Sequence, residues 1–161
     1  MLLAMAVGAA LVALTILVHY EALRLISRFL PRLTAVRPRP RIVFVIFAVF
    51  AAHTIEVYIY AAGYWLLQQM GAGVDGVGLT HLNGQPAGEF LQLIYFSSVT
   101  YTSLGFGDIV PLGGLRLVSG IEGLNGLLMI GWSASFTYLC MEKLWPLHAD
   151  RHGGHHPQHR E

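Results

Sequence analysis

Thr100-Tyr101-Thr102-Ser103-Leu104-Gly105-Phe106-Gly107-Asp108-Ile109-Val110-Pro111 is the part of the chain that says most about its architecture. It follows and closes an apolar run from Phe90 to Tyr101. That run is too short to cross a hydrocarbon core, which takes about 20 residues of helix. A half-length apolar helix ending in a glycine-rich turn is the pattern of a re-entrant segment. Such backbone is tolerated at membrane depth only where protein or water surrounds it. Gly105 and Gly107 stand two positions apart in the turn, and glycine makes left-handed backbone angles accessible there. An extended piece of this kind lining a narrow aqueous path can replace the water shell of a dehydrated cation with backbone carbonyls. The preceding helix would direct its partly negative C-terminal end toward the membrane interior, favouring a cation.

The flanking sequence has the composition of a membrane protein. Of 161 residues, 55% are hydrophobic and only 12% charged, against about 25% charged in soluble domains. That leaves too few charges to solvate a globular surface and argues against a water-soluble enzyme. Three runs are long enough to span: Leu2 to Val18, about Ile42 to Leu67, and about Leu117 to Cys140. The net charge of +1 argues neither for nor against a nucleic-acid partner, and none is expected. A single cysteine, Cys140, excludes an intrachain disulfide framework and a cysteine-based zinc site.

The basic residues set the expected orientation. Arg24, Arg28, Arg32, Arg37, Arg39 and Arg41 lie between the first two spans, and Lys143, Arg151 and Arg160 follow the third. Between the second and third spans Arg116 stands against Asp75, Glu89 and Asp108. Positive residues stay cytoplasmic, so the linker 20–41 and the C-terminus are expected inside, with the N-terminus and the re-entrant segment outside, in the plasma or inner membrane. Residues 1–19 have no basic n-region, which favours an N-out anchor over a cleavable signal peptide. Arg24, Arg28 and Arg32 share a helical face beside a span rather than inside one, unlike voltage-sensing arginines. An interfacial helix from Ala22 to Leu30, with anionic-lipid contact as its functional variant, is the expectation. The segment from Gly71 to Gly88 holds six glycines and reads as a mobile connection. The tail 144–161 carries His148, His152, His155, His156 and His159 and reads as a disordered segment, with loose metal binding as the alternative.

Ser103-Leu104-Gly105-Phe106-Gly107-Asp108, preceded by Thr102, resembles the Thr-Val-Gly-Tyr-Gly-Asp signature of the potassium-channel family. The likeness runs from about Arg41 to Lys143. It implies an all-α integral membrane fold: three transmembrane helices plus a re-entrant pore helix and selectivity-filter loop, assembled around a central pore. The boundaries expected are an outer helix 42–69, loop 70–88, pore helix 89–102, filter 103–108 and inner helix 115–143. The resemblance further implies that carbonyls of Ser103, Leu104, Gly105 and Phe106, with the Ser103 hydroxyl, stack K+ sites. It places Thr102, Gly107 and Asp108 in the same ion-binding segment, with Tyr95 holding Asp108 from the pore helix. Gly126 corresponds to a hinge glycine, and Leu127, Ile130 and Ala134 share a face that would line the inner cavity. Ser103, Leu104 and Phe106 replace the family's Thr, Val and Tyr, and Val99 stands where some bacterial members have a carboxylate. The implied assembly is a homotetramer in the lipid bilayer, with no cofactor beyond the permeant K+ ions. The first span is extra to the two-helix pore and is expected to pack at its periphery.

Ionisable residues inside the spans are costly and normally pair or mark function. His53 and Glu56 are one turn apart on the outer helix, with Tyr60 a further turn along. At 1.5 Å per residue Glu56 lies about 22 Å above the inner boundary and Glu122 about 10 Å below the outer one. The two carboxyls are therefore expected at one level, forming with His53 an intramembrane polar cluster. A structural hydrogen-bond cluster, a proton sensor and a metal site are its three readings. For the chain as a whole, K+-selective permeation stands beside a weakly selective cation pore and a non-conducting scaffold. No HExxH, Gly-x-Ser-x-Gly or cofactor loop points to an enzyme.

Overall fold

A computed structural model describes residues 2–33, 38–71 and 78–144. Three long helices dominate: α1 (Leu2–Phe29), α2 (Pro38–Met70) and α4 (Leu115–Leu144). Each is long and apolar enough to cross a membrane. Pro38 and Pro40 open α2, within the first turn, where a missing backbone donor costs nothing. Between α2 and α4 lies the short helix α3 (Phe90–Tyr101), about 18 Å long at 1.5 Å per residue and so unable to span. The Gln92 side chain returns to the Glu89 backbone N–H at 3.2 Å, completing a capping box that fixes where α3 starts.

Two features differ from the expectations. First, the loop ahead of α3 is partly ordered as a strand. β1 (Gly78–His81) pairs antiparallel with β2 (Ile109–Leu112), in the register Gly78↔Leu112 to His81↔Ile109. This two-stranded sheet fastens the chain before α3 to the chain that follows the glycine-rich segment 103–108. Residues 72–77, where much of the expected mobile connection falls, lie outside the described residues.

Second, α1 runs on past residue 19 to Phe29 and packs against both α2 and α4. Ala4, Gly8, Leu11, Thr15, His19, Leu23 and Ile26 are buried along it, a stripe of spacings three and four that marks one helix face. Small residues on this stripe allow close approach, as between membrane helices generally. A Cβ on Gly63 of α2 would stand 2.6 Å from Leu11, and one on Gly114 would stand 2.8 Å from Ala4. The helix also continues unbroken to Phe29, so Arg24 and Arg28 extend α1 instead of forming a separate interfacial segment. Arg24 donates to Glu21 at 2.7 and 2.9 Å, and Arg32, in the 3-10 turn Leu30–Leu33, lies 5.3 Å over the Phe29 ring. The histidine-rich tail lies outside the described residues.

Candidate functional site

The site begins where α3 runs out of helical partners. Thr102 N–H donates to the Ser98 carbonyl, Ser103 N–H to Thr100 and Gly105 N–H to Val99, at 3.2, 2.9 and 3.0 Å. The last carbonyls of α3 are thus occupied by the first donors of the segment after it. From there positive φ recurs at every second residue: Ser103 at 57°, Gly105 at 52° and Gly107 at 77°. Leu104 and Phe106, between them, keep negative φ. A backbone of alternating hand turns successive N–H groups to one side, which leaves the carbonyls to the other. All residues from Thr102 to Asp108 are exposed in the single chain.

Asp108 is anchored on both sides. Its carboxylate accepts a 2.9 Å hydrogen bond from Tyr95 on α3, and its carbonyl accepts one from Leu82 N–H beside β1 at 3.2 Å. Desolvation, and then the bond to Asp108, raise the Tyr95 hydroxyl above the ordinary phenol range, so it remains a donor. Behind the segment, Gly126 of α4 meets the end of α3. A Cβ there would stand 2.0 Å from the Tyr101 carbonyl oxygen, so α4 approaches α3 backbone to backbone only because position 126 has no side chain. The helix is continuous through this point. Leu127, Ile130 and Ala134 lie exposed on α4, with Ile130 also at the edge of a cavity lined by α2 and α3 residues.

The intramembrane polar residues form two groups, not one. Glu56, fully buried, faces His19 Nδ1 at 2.8 Å and His53 Nδ1 at 3.2 Å. It also accepts a hydrogen bond from Tyr101. Glu122, equally buried, accepts from Ser97 at 2.5 Å and from Tyr64. His53 and Glu56 are therefore together as neighbours one turn apart, while Glu122 keeps its own partners. Tyr60 is fully buried among the apolar residues. Sequence reasoning misses His19, because it stands just beyond the apolar run Leu2 to Val18. The four-and-three spacing of Ala4, Gly8, Leu11, Thr15 and His19 is the signal that would have placed it inward.

A family model described as ion channel matches residues 42–143, from α2 through α3 and the glycine-rich segment after it to α4. The match covers more than half of the chain, and the chain belongs to this ion-channel family, a two-helix pore of potassium-channel type to which α1 is an addition. No curated protein and no solved structure matches it. The protein is thus a multi-pass membrane protein of the ion-channel class.

Proposed function

We propose that four copies of the chain close around an axis into a pore that conducts K+ passively and selectively across the cell membrane. The observation that carries this reading is the alternation of backbone hand from Ser103 to Gly107. It is the conformation that presents the carbonyls of Ser103, Leu104, Gly105 and Phe106 as a ladder, with the Ser103 hydroxyl completing its inner end. One ladder encloses nothing. Four give a ring of oxygens at each level, able to replace the water around a dehydrated K+, and head-to-tail contacts between identical chains close into rings. Leu104 and Phe106, 59% and 66% exposed in one chain, would be covered by neighbouring copies. Leu127, Ile130 and Ala134 would face the cavity below the filter. The N-terminus lies outside and the arginine-rich linker in the cytoplasm, following the distribution of positive charge.

Reconstitution into liposomes tests this directly. Flux driven by a K+ gradient and not by a Na+ gradient is the expected result, from particles whose mass equals four chains. Equal flux with both ions identifies a weakly selective cation pore, the outcome that Ser103, Leu104 and Phe106 make the second reading. No flux from an intact assembly identifies a non-conducting scaffold.

A further inference from the structure

Three helices bring nitrogen and oxygen donors to a single point in the interior. His19 arrives from α1, His53 and Glu56 from adjacent turns of α2, and Tyr101 from the last turn of α3. His19 Nδ1 lies 2.8 Å from one Glu56 oxygen and His53 Nδ1 lies 3.2 Å from the other. The Tyr101 hydroxyl stands 2.9 Å from His53 Nδ1. One ligand atom from each of His19, His53 and Glu56 lies within 4.8 Å of the other two. An ion with bonds of about 2.0–2.2 Å to nitrogen and oxygen reaches all three with only small adjustments. The far side of the His19 ring is also held, since Nε2 lies 3.2 Å from the Ser133 hydroxyl of α4. A hydrogen bond on the second nitrogen is the usual support of a metal-bound imidazole, fixing its tautomer and its aim.

We propose that His19, His53 and Glu56 form a transition-metal site, with Zn2+ the ion that best fits two imidazoles and a carboxylate. Tyr101 or a water takes the fourth position. Calcium and magnesium prefer oxygen ligands, and the two histidines exclude them. The charge balance points the same way. Glu56 is fully enclosed at a depth where an uncompensated carboxylate is costly, and a divalent cation offsets it. An ion would approach from the His53 side: His53 and Tyr101 both line a cavity of about 470 Å³, with Phe50, Val57, Ser98 and Ile130. His53 is 19% exposed on that side, while His19 and Glu56 are completely closed off. A bound ion would join α1, which lies outside the two-helix pore, to the residue immediately before Thr102. Binding at this site does not depend on whether the pore conducts.

The test uses the full chain, purified without a polyhistidine tag, with His148, His152, His155, His156 and His159 replaced by Gln so that the tail does not compete. Zn2+ is titrated by calorimetry, and Co2+ serves as a spectroscopic probe. One ion per chain is expected, with the visible Co2+ absorption of a four-coordinate nitrogen and oxygen site. His19→Gln and Glu56→Gln should each lower Zn2+ affinity by at least about 100-fold, and Ser133→Ala by about 10–100-fold. His81→Gln, on β1, should leave it unchanged. X-ray absorption of the Zn2+-loaded parent chain reads the ligands without relying on a variant that folds, and should show scattering from two imidazole rings. Failure of the folded parent to bind Zn2+, affinity unaltered in both His19→Gln and Glu56→Gln, or a zinc spectrum without imidazole would each overturn the site.

Discussion

Ser103 is the single non-glycine residue with positive φ among the described residues. The left-handed conformation costs an L-residue about 1–2 kcal/mol, and strain of this kind gathers at functional sites. Here it falls at the first step of the alternating ladder, where the next two left-handed positions are glycines. Gly107 and Gly126 then separate two ways in which a glycine is required. At Gly107 a Cβ would meet nothing within 4 Å, but φ is +77°. Gly107→Ala should therefore leave insertion and assembly intact and abolish K+ flux, measured in liposomes beside the parent. Wild-type flux in this variant would remove the filter assignment. At Gly126 the difficulty is space: the Cβ would collide with the Tyr101 carbonyl, a backbone atom that cannot swing aside. Gly126→Ala should lower the stability of the assembly by about 1–3 kcal/mol or more, the range for overpacking, seen as an earlier thermal transition in detergent. An unchanged transition would show that α3 and α4 can separate at no cost.

The helix α1 is where sequence and structure differ most. Its length and apolar character were plain, and so was its ability to span. What it buries was not, because the two-helix pore it resembles has no counterpart to indicate a partner. The structure places Thr15 in contact with Asn125 of α4, whose Nδ2 donates to the Thr15 hydroxyl at 2.9 Å, both residues buried. Thr15→Val keeps the shape and removes the acceptor, leaving a buried amide donor unpaired at a cost of about 1–3 kcal/mol. The thermal transition of the purified protein should fall accordingly. An equal transition would mean that α1 docks through its small residues alone. The short sheet was illegible for another reason. Gly78–His81 is four residues long with one β-branched member, and its partner lies some thirty positions away beyond α3, so no local pattern signals it. The left-handed backbone at Gly105 and Gly107 was legible because its signal is local. Two glycines flanking an aromatic residue, after a half-length apolar helix, specify a backbone conformation without any tertiary contact.

Among the described residues the buried apolar side chains fall into two clusters, with buried polar residues inside the first and between the two. One cluster holds Leu11, Tyr64, Leu93, Phe96 and Val118 and the other Leu23, Ile26, Val45, Val49 and Cys140. Along α1 the order is Leu11, Thr15, His19, Leu23, and along α2 it is Val49, Ala52, Glu56, Tyr60, so polar residues separate the two clusters on both helices. Apolar packing alone does little to choose one helix arrangement over another in lipid, since the tails are as apolar as leucine. Directed hydrogen bonds do choose. In Glu122 a single carboxylate of α4 receives Tyr64 from α2 and Ser97 from α3, which fixes α3 between α2 and α4. Glu122→Leu removes the acceptor for both hydroxyls, and each buried group left unpaired costs about 1–3 kcal/mol. Ser97 retains the Val57 carbonyl at 2.9 Å as a second acceptor, so Tyr64 is the group most fully orphaned. Glu122→Gln keeps a carbonyl oxygen for one of them and should lose less than half as much. Denaturation of the detergent-solubilised protein should therefore rank parent, Gln and Leu in that order of stability. If Glu122→Leu equals the parent, these buried polar contacts contribute no net stability and the helix arrangement rests on the apolar clusters and the close approaches at Gly63 and Gly126.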